Sequence, residues 1–289
     1  MNTGNKKLLA LFGLKWNPFS PEIPTEGLML SPAVDHFGWR VENLARDGGF
    51  ALVTGAPGLG KSAALRLIAA RLQNLRDVRV AQLERPQAGL ADFYRELGDL
   101  FGVELSPHNR WAGAKVLRER WKAHLEMALF RPVLLVDEAQ ETVTPVLKEL
   151  RFLSSTDFDS RLLLTVVLAG DGRLAERLRS DENLLPLESR MRARLALEAA
   201  PPSDLEELLR QVVAKAGNTK LMTPELITAL AEHAGGNPRA LMHMADELLT
   251  SGAEREARQL DEKLFLELFT VPAPAERTKD RRERGGRRR

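Results

Sequence analysis

The chain has 289 residues, 44% of them hydrophobic and 28% charged, and a formal net charge of +2. That length fits one large domain or two, and the composition is that of an ordinary globular protein with a substantial core. Cysteine is absent, which excludes disulfides, thiolate metal sites and cysteine nucleophiles.

Residues 1–48 are rich in Pro, Gly and Trp and read as an ordered lead-in. The short apolar patch near the start is broken by Trp16, Asn17 and Pro18, and no small-residue cleavage site follows. No signal peptide is therefore read. The longest apolar run, residues 162–170, is about half the ~20 residues that a membrane helix needs. The expectation is a cytoplasmic protein that does not meet a membrane.

From Phe50 strands alternate with helices. Residues 50–55 (FALVTG) form a short buried strand, and residues 62–75 carry Leu65, Ile68, Leu72 and Leu75 as one helical stripe. Residues 77–84 form a second strand. Residues 132–139 (PVLLVDEA) and 161–170 (RLLLTVVLAG) read as strands apolar throughout, as in a parallel sheet covered on both faces. On the helix predicted over 110–130, Leu117, Trp121, Leu125 and Ala128 form the inward face. Lys115, Arg118 and Lys122 lie on another face, read as solvated or as a stripe that tracks phosphates, with Glu119 and Glu126 diluting it.

The Pro201-Pro202 pair marks a change of character. After it come only helical segments: 203–217 with Ser203 as cap, 223–236 with Thr223 as cap and Pro224 at its first position, then 238–252 and 260–269. The domain reading is a lead-in over 1–48, an α/β nucleotide-binding domain over 49–201, a small all-helical lid over 202–271 and a disordered basic tail over 272–289. From Thr278 the tail holds seven Lys/Arg against two acids, a net of +5. It serves either as a solubilising tail or as a weak, salt-sensitive attraction to nucleic acid.

The chemistry sits in residues 55–62, GAPGLGKS, which fit G-x-x-x-x-G-K-[ST] in full. Gly55, Ala56, Pro57, Gly58, Leu59 and Gly60 make a tight loop whose backbone N–H groups cradle phosphates. Lys61 reaches the β- and γ-phosphates, Ser62 ligates Mg²⁺, and Ala63 continues into a helix whose N-terminal end favours anions. Asp137, closing the apolar strand, is the second expected Mg²⁺ holder. Glu138 is the expected base for the attacking water. In the stretch GGNPRAL, the turn at Gly236, Asn237 and Pro238 aims Arg239 at the γ-phosphate if the helical domain closes over ATP. The five histidines show no metal-ligand spacing, and the four tryptophans are read as packing residues.

A phosphate loop, a VDE strand, a further buried strand and a helical lid with GNPR resemble the AAA+ ATPases. Within these, FGLKWNPFS, VLLVDEAQ, VVLAGDGRL, ESRMRARLAL and AGGNPRAL are similar to the ExeA-like and MuB/TnsC/TniB-like group, over about residues 11–250. That group includes helper ATPases of DNA transposition and an ATPase of type II secretion. The resemblance implies a P-loop NTPase fold, ATP and Mg²⁺ as cofactors, hydrolysis of ATP, and assembly into a homo-oligomeric ring or filament. It gives Arg239 the sensor-2 role and places an arginine finger in ESRMRAR, with Arg190 the first choice and Arg194 the second. The first functional expectation is a helper that assembles on double-stranded DNA and serves a transposase. The alternatives are an ATPase of envelope secretion and a nucleotide-gated scaffold with little turnover. One departure stands out: the family's polar sensor-1 residue falls on Asp171, which reads either as that sensor or as a helix cap, with Gln140 able to supply the polar contact instead.

Overall fold

The computed structural model describes residues 3–103, 110–127, 129–158 and 160–269. In chain order these hold α1 (Thr3–Phe12), α2 (Pro32–Asp47), β1 (Gly49–Gly55), α3 (Lys61–Gln73), β2 (Val78–Leu83), α4 (Leu90–Phe101), α5 (Arg110–Glu126) and β3 (Arg131–Val136). There follow α6 (Thr144–Leu153), the two-residue strands β4 (Ser155–Thr156) and β5 (Arg161–Leu162), β6 (Thr165–Gly170), α7 (Gly172–Ser180), α8 (Leu185–Glu188) and β7 (Met191–Leu197). Four helices close the described chain: α9 (Pro202–Ala216), α10 (Pro224–His233), α11 (Pro238–Glu254) and α12 (Glu262–Phe269).

Five strands form one parallel sheet in the order β2-β3-β6-β1-β7. Its central strands are apolar at consecutive positions because both faces are covered. Along β1, Phe50 and Leu52 bury against α4–α8, whereas Ala51 and Val53 bury against α2 and α3. The stripe Leu65, Ile68 and Leu72 on α3 lies on the second face, as the spacing predicts. The apolar run 161–170 divides. Arg161 and Leu162 pair antiparallel with Thr156 and Ser155, and only Thr165–Gly170 joins the sheet.

Helices α9–α12 form a second core around Leu209, Leu230, Leu241 and Leu248. Thr223 caps α10, its Oγ1 accepting from Leu226 N–H at 3.2 Å, with Pro224 in the first turn. Ser203 does not cap α9. The helix begins at Pro202, whose missing N–H costs nothing there, and Pro201 stands before it without a side-chain cap.

The described part of the lead-in holds two α-helices that go to different places. Phe12, Leu14, Phe19 and Ile23 bury in the second core, and Lys15 N–H donates to the Ala216 carbonyl at 2.8 Å. Helix α2 instead covers the sheet through Phe37 and Val41. Leu117 and Trp121 of α5 are buried as their spacing predicts, while Ala128 lies outside the described residues, as does the basic tail. Of the tryptophans, Trp121 is fully buried, but Trp39 and Trp111 are 53% and 73% exposed, contrary to the packing expectation. Among the described residues no helix is long and apolar enough to cross a membrane.

Candidate nucleotide site

In the sheet, β1 and β3 are separated by β6 alone. Leu52 and Val136 both pair with Leu168, so Asp137 and Glu138 follow β3 beside the last residues of β1, which runs on to Gly55. Ligand sites of parallel sheets lie outside such carboxyl ends. The 55–62 loop leaves β1 there, and Asp137-Glu138 leave β3 two strand spacings away, roughly 10 Å.

The loop closes through Gly58 at φ +89° and Gly60 at φ +93°, then enters α3 at Lys61. Lys61 is only 6% exposed. Its Nζ donates to the carbonyls of Gly55 at 3.0 Å and Ala56 at 3.2 Å, so the ammonium folds back over its own loop. Ser62 is exposed, Ala63 and Leu59 are half-buried, and Ala56 and Pro57 face solvent.

Asp137 Oδ1 accepts the Glu138 N–H at 2.9 Å. Glu138 itself sits in the left-handed region, φ 50° and ψ 39°, a conformation that costs a non-glycine residue of order 1 kcal/mol and gathers at functional sites. Gln140 is buried and spans the site. Its Nε2 donates to Glu138 Oε2 and its Oε1 accepts the Asp171 N–H at 3.1 Å. The Gln140 carbonyl accepts from Arg177 at 2.7 Å, and the same guanidinium reaches the Thr142 carbonyl at 2.8 Å. Gln140 is the polar contact that the DEAQ stretch suggests, whereas nothing in the sequence marks Arg177 beyond its place in the last turn of an amphipathic helix.

Asp171 is a helix cap. Its Oδ1 accepts Arg173 N–H at 2.9 Å, and Oδ2 lies 2.8 Å from Arg173 Nε. The hydrogen bond to Asp171 holds the Arg173 guanidinium above its ordinary pKa. The carboxylate is thus matched by a helix N-terminus and a cation, and the polar atoms turned toward Glu138 belong to Gln140.

Arg239 begins α11 against the phosphate loop: its N–H donates to the Gly58 carbonyl at 3.2 Å, and its side chain is exposed. Arg190 and Arg194 lie elsewhere. Met191 pairs with Phe50 and Leu197 with Gly55, so Arg190 sits at the opposite end of the sheet from the loop. Its guanidinium donates to the Pro186 carbonyl, and that of Arg194 lies 2.8 Å from Glu188. On α5, Arg118 leaves the expected stripe, stacking on Phe152 and donating to the Ser155 carbonyl at 2.7 Å.

Among the described residues there is no group of three or more His, Asp or Glu able to hold a metal. A hydroxyl at Ser62 and a carboxylate at Asp137 suit Mg²⁺, which takes one or two protein oxygens and completes its shell with waters and substrate phosphates.

A family model described as an AAA domain matches residues 44–178. The chain is 30% identical over 257 residues to general secretion pathway protein A of Aeromonas hydrophila, covering 86% of this chain and 45% of that protein, so it spans just under half the length of this curated relative. Among solved structures it is similar to Cdc6p of Pyrobaculum aerophilum (TM-score 0.68, 14% identity, 84% of this chain and 67% of that one). It is also similar to the Aeropyrum pernix ORC1 protein in complex with DNA (TM-score 0.65, 18% identity, 86% and 67%). At these identities the likeness is one of fold. Strand order, phosphate loop and the match over residues 44–178 agree on the fold: a parallel sheet flanked by helices with the P-loop AAA fold.

Proposed function

We propose that the protein binds Mg²⁺–ATP on the 55–62 loop and hydrolyses it. The observation that carries this is the gathering at the carboxyl end of the sheet of three parts: the loop, the Asp137-Glu138 pair and the first turn of α11, hydrogen-bonded to the loop. The Ser62 hydroxyl and the Asp137 carboxylate would hold Mg²⁺, which neutralises charge on the β- and γ-phosphates. Backbone N–H groups of the loop and of the α3 N-terminus bind the phosphate oxygens. Lys61 exchanges its two carbonyl partners for phosphate oxygens. Glu138 takes the proton of the attacking water, oriented by Gln140. Arg239 meets the γ-phosphate from the lid, and an arginine of a neighbouring copy completes the site.

For the task that hydrolysis drives, similarity to the Aeromonas hydrophila protein supports an energy-transducing role in secretion. The alternative, a transposase helper on double-stranded DNA, is supported by sequence motifs and by the basic tail. Binding of a random-sequence duplex, followed by fluorescence anisotropy with ATPγS, with ADP and without nucleotide, separates the two. The secretion reading expects no nucleotide-dependent binding. Tight binding with ATPγS alone, lost in Lys61→Ala, would reinstate the helper. In either case Lys61→Ala is expected to weaken ATP binding at least tenfold, because a cation on the phosphates is removed; charge-assisted bonds contribute about 1.5–3 kcal/mol. Unchanged affinity in equilibrium titration would remove Lys61 from the site.

A further inference from the structure

Four successive carbonyls of the phosphate loop are engaged. Lys61 takes those of Gly55 and Ala56 from within the loop, and the helical lid takes the next two. Asn237 Nδ2 donates to the Pro57 carbonyl at 3.2 Å, and Arg239 N–H donates to the Gly58 carbonyl at 3.2 Å. The Asn237 amide has one possible orientation here. Its Oδ1 caps α11, accepting the N–H groups of Arg239 at 3.0 Å and Ala240 at 3.3 Å, so Nδ2 must face Pro57. The contact is close: a Cβ on Gly58 would stand 2.4 Å from Asn237 Oδ1, at a φ that already disfavours side chains. One residue earlier, Gly236 has φ +78°, and its carbonyl accepts Ala200 N–H at 2.9 Å. A Cβ there would meet the Ala199 Cβ at 2.8 Å, so the same turn is also fixed to the linker between the domains.

We propose that Asn237 is a positioning residue that aims a phosphate-binding N–H of the loop from the lid, raising affinity for any nucleotide whether or not it carries a γ-phosphate. This rests on the ATP-binding reading above. In a trans peptide the C=O of one residue and the N–H of the next point in opposite directions within one plane, and no described peptide is cis. Holding the Pro57 carbonyl outward therefore fixes the direction of Gly58 N–H. Proline supplies no N–H of its own at this point, so its carbonyl is the handle on that plane. When Lys61 turns to the phosphates it gives up Gly55 and Ala56, and the bonds from Asn237 and Arg239 then hold the loop. A donor fixed before the ligand arrives loses less freedom on binding. Asn237 touches protein and not nucleotide, so its effect is blind to phosphate number, unlike that of the Arg239 guanidinium.

The test is equilibrium binding of mant-ADP and mant-ATPγS to the full chain, to Asn237→Ser and to Arg239→Ala, with melting temperatures alongside. Serine is as good an N-cap as asparagine but is too short to reach Pro57. Asn237→Ser is expected to melt near the parent and to weaken both nucleotides alike, by about fivefold, the value of one net hydrogen bond. Arg239→Ala is expected to weaken mant-ATPγS more than mant-ADP. Unchanged affinity for both nucleotides in a normally melting Asn237→Ser would overturn the proposal, and so would a loss confined to mant-ATPγS. Should the serine variant melt low, Asn237→Thr, a second capping residue without the amide N–H that reaches Pro57, carries the same comparison. If the unsubstituted chain binds neither nucleotide, the ATP-binding reading fails first and takes the proposal with it, a result distinct from either of the others.

Discussion

Glu138→Gln is expected to lower ATP turnover by at least about a hundredfold while ATP still binds, since a positioned general base contributes about 10²–10⁴. The substitution keeps the shape of the side chain and one acceptor oxygen, so the hydrogen bond from Gln140 and the bond of residue 138 N–H to Asp137 both survive. What is lost is the basicity that receives the water proton. In the proposed site the phosphate chain would be held by the loop, by Lys61 and by the α3 N-terminus, and not by residue 138. Steady-state phosphate release measured beside mant-ATP titration checks both halves. Normal turnover would remove Glu138 from the chemistry. Loss of binding together with turnover would show instead that the left-handed turn at Glu138 supports the site's shape.

The fold was legible in the sequence wherever burial is two-sided or periodic. Val133–Val136 announce a central strand because no face of it meets water, and Leu65, Ile68 and Leu72 announce α3. Errors fell where local chemistry has two solutions. Ser203 is a good cap by type, but Pro202 one residue earlier is a better first residue of a helix, and the chain took that. Leu163 and Leu164 are as buried as the strand after them, so hydrophobicity alone did not show that only Thr165–Gly170 pairs in the sheet. The lead-in gave no sign that α1 joins the lid while α2 joins the sheet. In the candidate site, the loop and the Asp137-Glu138 pair stand out in the sequence because each is a contiguous motif. The bond between Asn237 and Pro57 spans 180 residues, and its acceptor is a backbone carbonyl, which no residue type marks. Only half of it had a signal: Asn before Pro at a helix start reads as a cap, and Gly58 leaves room for what it meets.

Arg190→Ala is expected to reduce the turnover of the assembled protein by about a thousandfold, the lower end of what an arginine finger supplies, and to do so through the neighbouring subunit. The reason is position. Arg190 precedes Met191, which pairs with Phe50, whereas the phosphate loop leaves β1 after Gly55. Five residues of strand separate them, roughly 17 Å, farther than an arginine side chain reaches. Any service to ATP must therefore go to another copy of the chain. Arg194 pairs with Leu52, nearer the loop, but its guanidinium lies 2.8 Å from Glu188. Mixing separates the possibilities. In a one-to-one mixture of Arg190→Ala and Glu138→Gln chains, about a quarter of head-to-tail interfaces join an intact Glu138 to an intact Arg190. Turnover should return toward that fraction although each variant alone is inactive. No recovery would mean that Arg190 does not serve ATP and that its loss acts through the stability of its own chain. Recovery with Arg194→Ala in its place, and full activity of Arg190→Ala alone, would transfer the role to Arg194 and require its pairing with Glu188 to break on assembly.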